Sequence, residues 1–175
     1  TPTDLEAFAI GFSLSEGIIG KKDDIYDIKC ASGLDGVEVG LTISNQRFAE
    51  LKERRRSLTG RTGCGICGSE SLQQVRLKAK PVTNHFDISH EAVNQAVEQL
   101  SNKQPLQNST GAVHGAAWCN NRGDIVEICE DVGRHNALDK LIGVLAQKDL
   151  LQDDYLSAGF MLVSSRASYE MVQKT

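Results

Sequence analysis

The 175-residue sequence lacks the features of a membrane-spanning or nucleic-acid-binding protein. No apolar run approaches the roughly 20 residues that a membrane-spanning helix requires. Positive charge is also in short supply, because 19 lysines and arginines face 23 aspartates and glutamates, a net charge of −4. General binding to nucleic acid therefore has little electrostatic support. We expect no membrane or nucleic-acid partner, and any anionic ligand must be bound by a local group of residues.

Cysteine is too sparse for a disulfide scaffold. The five cysteines are an odd number, and no secretory signal segment opens the chain. We therefore expect a reducing, cytoplasmic setting. Cys30, Cys119 and Cys129 lie in or beside apolar segments, where burial as an unreactive thiol is the ordinary outcome.

What the sequence does contain is an alternation of helix and strand patterns. Thr3-Asp4-Leu5-Glu6 has the form of a capping box and predicts a helix that ends near Gly17. Alternating apolar residues at 37–43 predict a strand that pairs with another at 25–28, and a helix is expected over 45–57.

The second half continues this alternation. Ser89 can cap a helix, and the small residues from Thr110 to Ala117 predict a close-packed one. Strand patterns at 125–129 and 160–163 enclose a further helical pattern at 136–146. This order predicts a three-layer α/β sheet flanked by helices.

Two domains follow from this organisation. Residues 1–80 are assigned to a small N-terminal α+β subdomain that ends in a cysteine-containing loop. Residues 81–175 are assigned to the α/β domain, and the polar stretch around Pro81 marks the boundary.

The most distinctive motif is the loop that contains Cys64 and Cys67. Glycines at 60, 63, 65 and 68 surround the two cysteines, permit positive φ angles and leave the sulfur atoms unshielded. A pair at this spacing can hold a metal, form a redox disulfide or carry reactive sulfur. Arg61 and the run Arg54-Arg55-Arg56 would favour a thiolate by lowering its pKa, although a solvated helix face is the alternative for the run.

The other cysteines and histidines, together with the residues before the pair, help to choose among these three mechanisms. A structural zinc site needs four ligands, but Cys119 and Cys129 lie ten residues apart and the four histidines form no pair at ligand spacing. A thioredoxin-type dithiol normally opens a helix after a strand, whereas glycines and arginines precede this pair. We favour a sulfur carrier, in which a thiolate takes sulfur from a persulfide and passes it on, and we expect no structural metal.

A second candidate site lies between a predicted strand and a predicted helix, in the segment from Glu130 to Asn136. Arg134 would clamp a phosphate or carboxylate, His135 would donate or shuttle a proton, and the helix N-terminus would add partial positive charge. In the structural alternative, Asp131 caps the helix and Arg134 pairs with Glu130.

His114 is a third candidate. A single histidine in an apolar helix is more often a satisfied core residue than a ligand-binding one. We favour a binding role only because His114 closely follows Thr110-Gly111.

Five groups of residues together closely resemble the formate dehydrogenase accessory sulfurtransferase family, and the resemblance covers essentially the whole chain. The combination is far more specific than the cysteine pair alone. The groups are Thr1-Pro2-Thr3-Asp4-Leu5 with Glu16-Gly17-Ile18, Thr62 to Gly68, Thr110 to His114, Glu130 to Lys140, and Ser164-Ser165-Arg166.

The resemblance implies a fold similar to that of cytidine deaminases. It also implies transfer of sulfur from a cysteine desulfurase to the molybdenum bis-guanine-dinucleotide cofactor of formate dehydrogenase. Cys64 would carry the persulfide, and Cys67 would assist by relay or by resolving it. The client cofactor would be bound with the help of His114, Arg134 and His135, by a protein that forms a homodimer.

Two other functions compete with this hypothesis. A zinc deaminase needs His-x-Glu and Pro-Cys-x-x-Cys, but Ala116 stands two places after His114 and Gly63 replaces the proline. The general acid/base is therefore missing. A non-catalytic chaperone that delivers the molybdenum cofactor would use the same 133–135 loop, and the sequence does not separate it from a sulfurtransferase.

Two departures from the family concern length. The family ordinarily has an additional N-terminal strand region and continues past the position of Thr175, with a stretch that contributes to cofactor binding. We therefore expect this chain to be truncated at its C-terminus and to lack those residues.

Overall fold

The computed structural model describes residues 1–34, 36–58 and 87–175. None of the helices in this part of the chain has the length and apolarity needed to cross a membrane. In chain order the elements are α1 (Leu5–Ser15), a 3-10 turn (Lys22–Asp24), β1 (Ile25–Ser32), β2 (Val37–Ile43), α2 (Asn45–Leu58), α3 (His90–Asn102), α4 (Pro105–Thr110), β3 (His114–Asn120), β4 (Ile125–Asp131), α5 (Arg134–Gln147), α6 (Asp153–Leu156), β5 (Gly159–Val163) and α7 (Tyr169–Lys174).

The first two strands form the predicted hairpin. Strands β1 and β2 pair antiparallel, with Ile25 opposite Ile43 and Ser32 opposite Val37. The alternating apolar residues of β2 are half-buried, and the residues between them are exposed. The period-2 pattern therefore predicted the strand, and its apolar residues form the less exposed face.

The second sheet contains β4, β3 and β5 in that order, with both pairs antiparallel. One face packs against α5, whose Leu138, Leu141 and Leu145 are fully buried. The other face packs against Ala96 and Leu100 of α3. The fold is a mixed α/β fold. Its likeness to cytidine deaminases stays a prediction. The division at residue 80 also stays a prediction, because that boundary lies outside the described residues.

The expected close-packed helix from Thr110 to Ala117 is wrong. Helix α4 ends at Thr110 because Gly111 adopts a left-handed φ of 65°, and His114 then opens the central strand β3. Both faces of this strand are covered, so Ala116 and Ala117 are completely buried. Small residues suit such a strand as well as they suit a close-packed helix, and they carry no period that distinguishes the two.

The predicted capping box is also wrong, although the helix is present. The N-cap of α1 is Asp4, in a left-handed conformation with φ of 53° and without a capping side-chain bond. The hydroxyl of Thr3 instead accepts a hydrogen bond from Lys140 Nζ at 3.4 Å. A tertiary contact has therefore replaced the local bond.

Helix α1 crosses α5 at direct backbone contact. A Cβ atom added at Gly143 would overlap the carbonyl oxygen of Ala7, and one added at Gly11 would overlap that of Asp139. Only glycine fits at either position, because the overlapping atoms belong to the backbone and cannot rotate away. The crossing holds the N-terminal helix on the outer side of α5.

This contact predicts that Gly143→Ala lowers the free energy of unfolding by about 1–3 kcal/mol. The loss is expected even though alanine has a higher helix propensity than glycine, by about 1 kcal/mol. Urea denaturation followed by circular dichroism would measure the loss. Gly40→Ala is the control, because the nearest atom to its added Cβ is Lys29 O at 3.8 Å. Equal stability of the two variants would contradict the close crossing.

Candidate functional site

The motifs singled out in the sequence meet at one end of the three-stranded sheet. His114, the first residue of β3, lies opposite Asp131, the last residue of β4. Ser164 follows β5 at the same end, where its N–H donates to Gly115 O at 2.9 Å and its hydroxyl accepts from Gly115 N at 2.8 Å. We call this region the motif end, defined by His114, residues 131–136 and residues 164–166.

The N-terminal segment joins the motif end as well. The N–H of Val132 donates to Thr1 Oγ1 at 3.3 Å, and Lys140 Nζ donates to Thr1 O at 3.2 Å. Four segments that are far apart in the sequence are therefore neighbours in the fold.

Asp131 orders the turn between β4 and α5. Its Oδ1 accepts from Gly133 N at 2.9 Å and from Asn136 Nδ2 at 3.2 Å. The N-cap residue of α5 is Gly133, so Asp131 is not the N-cap that the structural alternative expected. Burial opposes ionisation, but hydrogen bonds from Lys140 Nζ and Gly133 N–H hold the pKa of Asp131 well below its ordinary value. Asp131 is therefore a buried carboxylate that stays ionised at neutral pH.

Arg134 is half-buried in the first turn of α5. Its expected alternative partner, Glu130, instead accepts from Leu106 N at 2.9 Å and Gln107 N at 2.8 Å, at the start of α4. A pair between Arg134 and Glu130 is therefore wrong, because a helix N-terminus already binds the carboxylate. Among the described residues, no carboxylate lies within ion-pair distance of the Arg134 guanidinium.

His135 follows on the same turn and contacts a residue that the sequence did not reveal. Its Nε2 lies 3.1 Å from Glu170 Oε2 of α7, without the alignment of a hydrogen bond. Glu170 is 35 positions away in the sequence, and no local pattern connects the two residues. Only the packing of α7 on α5 brings the carboxylate to His135.

A cleft of about 570 Å³ lies beside the first turn of α5, within the size range of small-molecule sites. Asp131, Asn136 and Lys140 are its polar neighbours on the α5 side, although the side chains of Asp131 and Lys140 are almost completely buried. Neither Arg134 nor His135 lines it, so the two predicted binding residues lie at the motif end but outside the cleft. Its apolar walls come from α1, the preceding segment and the β1–β2 turn, through Pro2, Leu5, Phe8, Leu34 and Val37.

Cys64 and Cys67 lie outside the described residues, as do Arg61 and the surrounding glycines, and their predicted roles stay predictions. In the described ranges, no group of three or more His, Cys, Asp or Glu side chains is arranged to hold a metal ion.

The remaining cysteines fall into two kinds. Burial raises the pKa of the Cys119 thiol to about 11 and that of Cys129 to about 12, which confirms the expectation of buried, unreactive thiols. The same expectation is wrong for Cys30, which is exposed. Cys30 lies toward the turn of a two-stranded hairpin, beyond the half-buried Ile28.

Comparison with known proteins gives the chain its family. The model of the FdhD/NarQ family matches residues 1–175. Proteins named "Sulfur carrier protein FdhD" from Cupriavidus necator and Variovorax paradoxus are 51% and 49% identical over 175 residues, all of this chain and 59% and 62% of theirs. The protein of that name from Acinetobacter baylyi is 50% identical over 99% of the chain and 62% of its own length.

A solved structure shows the same fold. The crystal structure of a proposed formate dehydrogenase accessory protein from Desulfotalea psychrophila superimposes with a TM-score of 0.64 and 23% identity, over 99% of this chain and 60% of that one. The chain spans about three fifths of the length of the curated relatives it matches. It belongs to the FdhD/NarQ family.

The thiol pKa values predict a selective labelling pattern. At pH 8, only about one Cys119 thiol in a thousand is ionised, and still fewer at Cys129, because a raised pKa lowers the thiolate fraction. We expect iodoacetamide to modify Cys30 in the folded protein and to spare Cys119 and Cys129, as peptide mass mapping would show. In urea all three should react, and modification of folded Cys119 as fast as Cys30 would contradict the burial.

Proposed function

We propose that the protein carries sulfur from a cysteine desulfurase to the molybdenum bis-guanine-dinucleotide cofactor of formate dehydrogenase. Family membership and the names of the relatives support a sulfur carrier. The observation that supports a bound anionic client is the motif end, where four sequence segments meet beside the turn that leads into α5. Arg134 follows this turn, and among the described residues its guanidinium has no carboxylate partner.

In this proposal the sulfur chemistry belongs to the cysteine pair. The Cys64 thiolate attacks the terminal sulfur of the desulfurase persulfide, so that the desulfurase thiolate leaves and Cys64 holds the persulfide. Cys67 then relays the sulfur or attacks the Cys64 persulfide. The second route releases hydrosulfide and forms a Cys64–Cys67 disulfide, which a cellular thiol must reduce.

The client binds at the motif end. Arg134 supplies a planar, permanently charged donor for phosphate, and the 14-residue helix α5 adds the partial positive charge of its N-terminus. His114 and His135 provide imidazoles near this point, and the adjacent cleft offers room for a nucleotide-sized group. The guanine-nucleotide parts of the client are the groups this arrangement suits.

We also propose that the protein is a cytoplasmic homodimer, as the family resemblance implies. Light scattering on the full-length protein tests the oligomeric state, and cell fractionation tests the location.

The sulfur-carrying role predicts a mass change. After incubation with desulfurase and cysteine, the protein should gain about 32 Da per bound sulfur atom. Cys64→Ser should abolish this gain and the activation of formate dehydrogenase without changing the melting temperature, since a hydroxyl cannot hold sulfane sulfur. Cys30→Ser is the control and should load normally. An unmodified wild-type protein that still binds the cofactor would establish the non-catalytic chaperone instead.

The client site predicts a separate effect. Arg134→Ala should weaken GDP binding by about ten- to a hundred-fold, because a charged phosphate donor is lost. Calorimetry would measure this, and persulfide loading of Cys64 should persist. Arg122→Ala is the matched control, because this exposed arginine lies in the turn at the opposite end of the sheet, beside Asp124. Unchanged GDP affinity in Arg134→Ala would remove Arg134 from the client site.

A further inference from the structure

A buried ion pair joins Asp131 of the motif end to Lys140, further along α5. Lys140 Nζ donates to Asp131 Oδ2 at 2.7 Å, and the two side chains are only 1% and 2% exposed. Removing two charges from water is costly, and apolar residues of similar size often replace such a pair without loss of stability. Stability alone therefore does not account for this pair.

The contacts of Lys140 join three parts of the chain. Its ammonium group lies on α5 and reaches the end of β4 through Asp131 and, at 3.5 Å, through Glu130 O. It also donates to Thr1 O at 3.2 Å and to Thr3 Oγ1 at 3.4 Å in the segment before α1. One buried cation thus ties the N-terminal segment to both sides of the β4–α5 turn.

The second oxygen of Asp131 acts on the turn itself. Oδ1 accepts from the backbone N–H of Gly133, the residue before Arg134, and from the side-chain amide of Asn136, two places after it. The Thr1 nitrogen donates to the same Oδ2 at 3.0 Å, but without Lys140 the Asp131 carboxylate would lose its shortest charged contact, at 2.7 Å, and would shift toward water. The turn would open and Arg134 would move with it.

We propose that Asp131 and Lys140 are positioning residues that set the direction in which α5 presents Arg134 to an anionic ligand. The inference rests on the proposed client site. Leu138, Leu141 and Leu145 bury α5 against the sheet independently of the pair, so the helix has a second source of stability. Loss of the pair should therefore misplace the guanidinium within an otherwise folded protein.

The experiment is GDP calorimetry on the full-length protein, well below the melting temperature of every variant. Lys140→Met should weaken GDP binding by roughly ten-fold or more, since small misplacements of a binding group are costly. Lys140→Arg, which keeps the charge, should retain most of the affinity. The double variant Asp131→Leu with Lys140→Met should recover thermal stability but not GDP affinity, a separation that a purely structural role would not produce.

Leu145→Ala is the stability control. This residue is fully buried in the same helix, away from the motif end, and its truncation should lower the melting temperature without changing GDP affinity by more than about two-fold. Wild-type affinity in the double variant, or equal losses of affinity in Lys140→Met and Leu145→Ala, would overturn the positioning role. Should Lys140→Met fail to fold, Asp131→Asn and the double variant decide the question.

Arg134→Ala in the same series separates the two hypotheses. Weakened binding in Arg134→Ala but not in the Lys140 and Asp131 variants rejects the positioning role and leaves the client site standing. If Arg134→Ala also binds GDP normally, the client site is wrong and the positioning role is rejected with it.

Discussion

Helix α5 lies between the three-stranded sheet on one side and α1 on the other, and this double coverage constrains nearly every residue along it. The sheet side requires large apolar residues such as Leu138 and Leu141. The α1 side requires Gly143, since the two backbones touch. With most of its surface covered, the helix buries even Asp139 and Lys140, and each of these charges must find a partner.

The consequences of this burial reach the motif end. Asp139 turns toward α1 and α7, where it accepts from Ser15 Oγ at 2.7 Å and Lys174 Nζ at 3.0 Å. Lys140, the next residue, reaches back to β4. The consecutive buried charges Asp139 and Lys140 thus fasten α5 in two directions, whereas residues 134–136 of its first turn are only half-buried.

Patterns with a strong period were predicted well from the sequence. The hairpin, α1, α3 and α5 all combine alternating or helical apolar spacing with local turn signals, and the structure confirms them. Strand β3 was missed because glycine and alanine have no inward or outward preference. Tertiary contacts, and not the local sequence, therefore determine the structure of the segment from His114 to Ala117.

The candidate site divides in the same way. The turn from Asp131 to Arg134 was predicted, because a motif between a strand and a helix is visible locally. The contact of His135 with Glu170 and the use of Glu130 by α4 were not, since both partners come from other parts of the chain. Contacts between side chains and groups that are distant in the sequence produce no sequence pattern at a fixed spacing.

Under the proposed sulfur-carrying function, the buried thiols of Cys119 and Cys129 have a kinetic meaning. A persulfide can reach these cysteines only when the sheet opens, so the rate of misdirected transfer cannot exceed the rate of that opening. The fidelity of sulfur delivery then depends on the rate at which the central strands open, in addition to the reactivity of the Cys64 thiol. A mutation that accelerates this opening would let sulfur transfer to Cys119 or Cys129, even while the population of folded molecules stayed almost unchanged.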